Sequence, residues 1–199
     1  MRAFICLPIP QRVRDEIGRI ADEVRGATSM RARWVPKANY HVTVQFLGDI
    51  DPMMCVDLER IAGKIGRCVD PFDLRLDRAG AFPSPARARV LWVGGDGPPP
   101  YRGLLTSMHH ELERLGFPGE RADGLAHVTI ARIKGRPDPT LDRWIDRASI
   151  PEPLRVPVDR IVLMQSELTP AGARYAPLFE VPLVGRPAAE AEGDPADAV

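Results

Sequence analysis

The amino-acid sequence predicts an α+β protein in which antiparallel sheets carry helices on their outer side. Short β-branched segments of alternating polarity are mixed with longer segments whose apolar residues recur at helical spacing. These two kinds do not alternate strictly, as a doubly wound parallel sheet requires, but run in two successive halves. With 199 residues, 44% hydrophobic and 27% charged, the chain is long enough for one domain with a substantial core.

Residues 2–7 read as a first strand, and Pro10 opens a helix with Val13, Ile17, Ile20, Ala21 and Val24 on one face. Residues 26–40, with Gly26, Arg31, Arg33, Pro36 and Asn39, read as a loop. Residues 41–47 alternate and are β-branched, so they form a strand that Gly48 and Asp49 end. Asp51 and Pro52 resemble the cap and first position of a second helix, with Met54, Leu58, Ile61, Ala62 and Ile65 as its stripe. Strands follow near 72–79 and 88–94, and the Gly- and Pro-rich run Gly94 to Pro100 is the natural joint between halves. The second half opens with a helix at 101–116, carrying Leu104, Met108, Leu112 and Leu115, and continues with a strand at 126–133. A short helix at 139–148 precedes two paired strands, 161–168 and 174–184, around Thr169-Pro170-Ala171-Gly172. Residues 186–199, mainly Ala, Pro, Gly, Glu and Asp, read as a disordered tail.

Basic and acidic residues balance at 27 each, so the whole molecule exerts no long-range pull on nucleic acid. An RNA substrate would then be gripped by a short end rather than along a duplex. Cys6, Cys55 and Cys68 are odd in number and lack CxxC spacing, which argues against a disulfide framework and for a reducing cytosol. Pro8 and Pro10 cut the N-terminal apolar run short, and no stretch reaches the ~18 apolar residues of a membrane span. A soluble, cytoplasmic protein is expected.

One short pattern occurs twice. His41-Val42-Thr43-Val44 and His127-Val128-Thr129-Ile130 share the form His-x-Thr-x with apolar residues at each x. On a strand, side chains two apart share a face. Each motif therefore presents an imidazole and a hydroxyl on one side, and anchors itself with Val42, Val44 and Phe46, or with Val128 and Ile130, on the other. A single match arises by chance in roughly one chain in five of this length, and two in about one in fifty. Two facing histidines suit the opening of a cyclic phosphate, one neutral to take a proton from water and one charged to protonate the departing oxygen. The threonine hydroxyls would hold non-bridging phosphate oxygens. A metal site is not supported, because the pair lacks an evident third ligand.

The chain resembles the 2H phosphoesterases, in particular the RNA 2′,3′-cyclic phosphodiesterases long called 2′–5′ RNA ligases. The likeness rests on residues 34–48 around the first motif, on Gly80-Ala81-Phe82-Pro83 with Arg89-Val90-Leu91-Trp92, and on His127 to Arg132. It extends to Leu163-Met164-Gln165-Ser166 with Gly172 and Tyr175, so it covers about residues 2 to 184. The resemblance implies a bilobal fold with pseudo-two-fold symmetry and the paired motifs lining a central cleft. On that basis residues 1–185 form a single bilobal domain, with lobes of about 1–95 and 96–185 and room for strand exchange between them. It implies His41 as proton donor to the leaving 3′ oxygen and His127 as the acceptor that activates water, with no cofactor. The product would be a 2′-phosphomonoester, with Thr43, Thr129 and Arg132 binding phosphate. The implied partners are RNA ends or cyclic nucleotides bearing a 2′,3′-cyclic phosphate, met by a monomer away from any membrane. Ligation through a 2′–5′ bond and a non-catalytic RNA-binding module are the alternatives. Ala126 departs from the family, which often has proline before the second histidine.

Other residues have plainer readings. Strict alternation puts Arg132 on the face of Val128 and Ile130, at a strand end from which it could bend toward the cleft. Arg31, Arg33 and Lys37 read as a charged loop, and Phe46 as packing. Trp34 and Tyr175 stay open as base-stacking residues. His109 and His110 are expected on a helix surface without a catalytic part, and Trp144 in the core.

Overall fold

The uninterrupted apolar run near the N-terminus becomes β1 (Arg2–Pro8), buried from Ala3 to Leu7. A strand without polar alternation is one covered on both faces. Ala3, Ile5 and Leu7 enter the main core, whereas Phe4 and Cys6 form a small second cluster with Val162 on the other face. The structure is a computed structural model describing residues 1–119, 124–147, 149–170 and 172–185. The expected tail at 186–199 lies outside the described residues.

The helices follow their predicted stripes. Helix α1 (Gln11–Ala27) buries Val13, Ile17, Ile20, Ala21 and Val24. A 3₁₀ turn at Pro52–Met54 leads into α2 (Cys55–Gly66), and the Asp51 carboxylate caps that turn by accepting from the Met53 amide at 2.9 Å. Helices α3 (Pro99–Arg114) and α4 (Leu141–Arg147) complete the set. All four helices deliver their buried apolar side chains to the main core, and Trp144 packs against it.

The remaining strands are β2 (Ala32–Trp34), β3 (His41–Asp49), β4 (Phe72–Phe82), β5 (Val90–Asp96), β6 (Leu125–Ile133), β7 (Ser149–Val158), β8 (Arg160–Thr169) and β9 (Gly172–Pro182). They form one curled antiparallel sheet in the order β7-β4-β5-β6-β3-β1-β8-β9, with β2 pairing on β6. Two strands were hidden by composition. β2 lies in a stretch that reads as a loop, and β7 carries Pro151, Pro153 and Pro157. β7 is the outer strand of the sheet, where missing amide donors do least harm.

The sheet divides into β7-β4-β5-β6 and β3-β1-β8-β9, joined by the single pair Val42↔Val128. In sequence the β7-β4-β5-β6 half is the continuous stretch 72–158, flanked on both sides by strands of the other half, so a boundary at 95/96 separates neither: β4 and β5 sit with β6, and β8 and β9 sit with β1. Helix α1 likewise crosses over to pack on β6 and β7, and α2 packs on β8 and β9. The expected joint at Gly94 is in fact strand. Gly94 and Gly95 lie within β5, where a Cβ on Gly95 would fall 2.0 Å from the Arg75 carbonyl oxygen. These glycines mark close backbone approach, not a linker. Val42 and Val128, both fully buried, make the joining contact apolar, and each contributes about 1.5–3 kcal/mol.

Candidate active site

The two motif strands meet antiparallel at Val42 and Val128. Their side chains are buried in the core, so the histidines and threonines one step to either side lie on the opposite face of the sheet. The register sets His41 opposite Thr129 and His127 opposite Thr43, with the imidazoles on one diagonal and the hydroxyls on the other. His41, Thr43, His127 and Thr129 are all half-buried. Neither threonine hydroxyl is tied up by another group among the described residues.

Each motif ends in a β-bulge at the same position. On β3, Cys6 pairs with Thr43 and Ile5 with Gln45, leaving Val44 as an extra residue. On β6, Trp92 pairs with Thr129 and Leu91 with Ala131, leaving Ile130 extra. An inserted residue shifts the phase of the strand by one, so whatever follows changes face. Gln45 and Ala131 are therefore buried, and Phe46 and Arg132 are exposed. Two expectations are corrected here. Phe46, expected on the core face, is 61% exposed and its ring lies 5.8 Å from that of Phe4. Arg132 leaves the face of Val128 and Ile130, and its charge acts on both His41 and Tyr175.

Aromatic rings wall both imidazoles. Phe4 stacks on His41 at 4.7 Å, and Tyr175 meets it edge-on at 5.4 Å. Phe82 meets His127 edge-on at 5.1 Å, with Trp92 at 6.3 Å. Sequence alone missed Phe4 as a site residue, because a strand buried on both faces gives no sign of which face holds the cleft. Tyr175, left open from sequence, belongs to the wall of His41, and burial raises its pKa so that it keeps its proton. Trp34 packs against the main core.

His41 Nδ1 lies 2.8 Å from the Asn39 carbonyl oxygen, which can only accept, so Nδ1 carries the proton and Nε2 is left with the lone pair. Asn39 is itself anchored, its side-chain amide donating to the Ala173 carbonyl of β9 at 2.8 Å. Burial lowers the His41 pKa to about 4, opposed by the Asn39 bond and assisted by electrostatic coupling to His127 and Arg132. An anionic group bound between them would reverse that balance. Of the expected charged loop, Arg33 pairs with Arg132 across β2 and β6 and acts on Tyr175, whereas Lys37 lies against Gly18 of α1. His109 departs from expectation by bonding the Val44 carbonyl oxygen. Among the described residues, no three His, Cys, Asp or Glu side chains converge as metal ligands do.

A curled antiparallel sheet with a His-x-Thr strand from each half at its centre is the architecture of the 2H phosphoesterases. The chain belongs to the LigT-like phosphoesterase family, whose model matches residues 7–92 and 97–175. It is 32% identical over 176 residues to an RNA 2′,3′-cyclic phosphodiesterase of Methanothermobacter thermautotrophicus, covering 88% of this chain and 95% of the relative. Among solved structures, a protein of Thermus thermophilus superposes with a TM-score of 0.76 at 26% identity, over 93% of this chain and 99% of that one. LigT of E. coli, crystallised with 3′-AMP, superposes with a TM-score of 0.72 at 25% identity, over 92% and 97%.

Proposed function

We propose that this protein hydrolyses the 2′,3′-cyclic phosphodiester end of RNA to a 2′-phosphomonoester, by acid–base work of His41 and His127 without a metal. The observation that carries this is the pair of matched motifs, each bulged at its fourth residue, flanking Val42↔Val128. The relatives support the substrate class: the Methanothermobacter protein is named for RNA 2′,3′-cyclic phosphate, and LigT was crystallised with a nucleotide monophosphate.

In this mechanism neutral His127 removes a proton from water as the water oxygen attacks phosphorus. The bond from phosphorus to the 3′ oxygen breaks, and His41, as imidazolium, gives that oxygen its proton. Thr43, Thr129 and Arg132 hold the non-bridging oxygens, where negative charge concentrates in the transition state. The substrate supplies what His41 needs, since an anion beside a buried imidazole favours its charged form. The protein would act on RNA ends or cyclic nucleotides as a cytoplasmic monomer. Among the described residues no helix is long and apolar enough to cross a membrane.

One observation favours a second reading, in which the two histidines exchange roles. His41 is neutral at pH 7, with its Nε2 lone pair free of the Asn39 bond, which is the form of a base. With the roles exchanged, water would attack from the His41 side and the oxygen seated beside His127 would leave, whichever of the 2′ and 3′ oxygens that is. His41→Ala and His127→Ala should each slow turnover of a 2′,3′-cyclic nucleotide by at least ~10²-fold. A near-normal rate in either variant removes that histidine from the mechanism.

A further inference from the structure

The bulge that ends the first motif is held from behind by α3. His109 Nε2 lies 3.3 Å from the carbonyl oxygen of Val44, the bulge residue itself. The carbonyl only accepts, so Nε2 donates. One residue on, Gln45 is buried, and its Nε2 donates to the Phe117 carbonyl at 2.9 Å, in the loop leaving α3. Gly119 of that loop closes the packing, since a Cβ there would come within 3.1 Å of the His109 ring and 3.4 Å of Gln45 Oε1. His109 is half-buried, while the adjacent His110 is exposed.

The second motif provides an internal comparison. Its bulge residue, Ile130, has its carbonyl held by the Val35 amide at 2.9 Å, a bond that continues the register of β2 on β6. Both bulges are thus pinned at the same atom, one by backbone and one by an imidazole. A pinned bulge carbonyl fixes where the phase of the strand changes, and so fixes the aim of the residues on either side.

We propose that His109 is a positioning residue of the active site, which by bonding the Val44 carbonyl aims Thr43 into the cleft. It touches none of the reacting groups and acts through Val44. The proposal rests on the reading of the His-x-Thr strands as catalytic. The assay is steady-state hydrolysis of adenosine 2′,3′-cyclic phosphate, with thermal melts as the check on folding. His109→Leu removes the donor and should lower kcat about 10-fold with KM within about 2-fold. His109→Gln places an amide nitrogen where Nε2 stands and should restore kcat to within about 2-fold, which a purely space-filling role would not give. In a Thr43→Val background the effect of His109→Leu should shrink below about 2-fold, because both act through one contact. His110→Ala should behave as wild type.

A wild-type kcat for His109→Leu, a His109→Gln variant as slow as Leu, or additive losses in the double variant would each overturn the proposal. Should His109→Leu fail to fold, His109→Gln is compared with His109→Asn, whose amide falls one bond short. Gln should then be clearly faster, and equal rates overturn the proposal. A Thr43→Val enzyme at wild-type rate would instead sink the reading of the motif, whereas a slow Thr43→Val with an unaffected His109→Leu sinks the positioning role alone.

Discussion

A single imidazole shows how much of this site is set by its surroundings. His41 stands at about 4 in the folded chain, because burial, helped by electrostatic coupling to His127 and Arg132, outweighs the Asn39 bond. Unfolded, it would titrate near 6.5. Between those values the unfolded chain binds a proton that the folded chain refuses, so stability falls as pH drops from about 6.5 through about 4. Wild type should lose melting temperature across that window relative to His41→Gln, and parallel curves would show that the site does not hold His41 neutral. Catalysis has a matching signature. The kcat/KM profile reports the free enzyme and kcat the bound one, so the anionic substrate should displace the His41 limb of kcat toward higher pH. Coincident profiles would contradict a phosphate seated beside His41. The two histidines and two threonines were legible in the sequence because the motif is duplicated and strand alternation fixes a shared face as far as the threonine. Phe46 and Arg132 were not, because a bulge depends on the register of the partner strand, which no local pattern records.

Among the elements, β5 shows why small residues sit beside the motif strand. Gly94 pairs with His127, and a Cβ at Gly94 would fall 2.4 Å from the Ala126 carbonyl oxygen and 3.1 Å from the His127 Cα. Backbone cannot yield there as a flexible side chain would, so Gly94→Ala must push β6 and its imidazole aside. A misplacement near 1 Å can cost about 10²-fold, so kcat/KM should fall roughly 10- to 100-fold, with a lowered melting temperature. Wild-type kinetics in Gly94→Ala would show that β5 does not set the position of His127. Element identity was largely readable wherever one face is buried, as in α1 and α3. Reading failed where prolines mimic a loop, as in the outer strand β7, and where glycine marks close approach rather than a turn, as at Gly94.

The whole molecule is a sheet whose halves meet at one apolar pair, with the two motifs straddling it. Sequence halves do not predict this division, because β8 and β9 return to β1 and α1 crosses to β6, pairings set by tertiary contacts alone. The meeting of the halves builds the site, and its chemistry is assigned to side chains alone. Activity should therefore survive exhaustive chelation; loss on chelation with recovery on adding zinc would point to a metal instead. The decisive measurement is product analysis on a short RNA ending in a 2′,3′-cyclic phosphate. The wild-type protein should leave a 2′-phosphate end, and His41→Ala and His127→Ala should leave the cyclic ends unreacted. A 3′-phosphate from the wild-type protein would contradict release of the 3′ oxygen, and undiminished turnover in both variants would contradict the two-histidine site altogether.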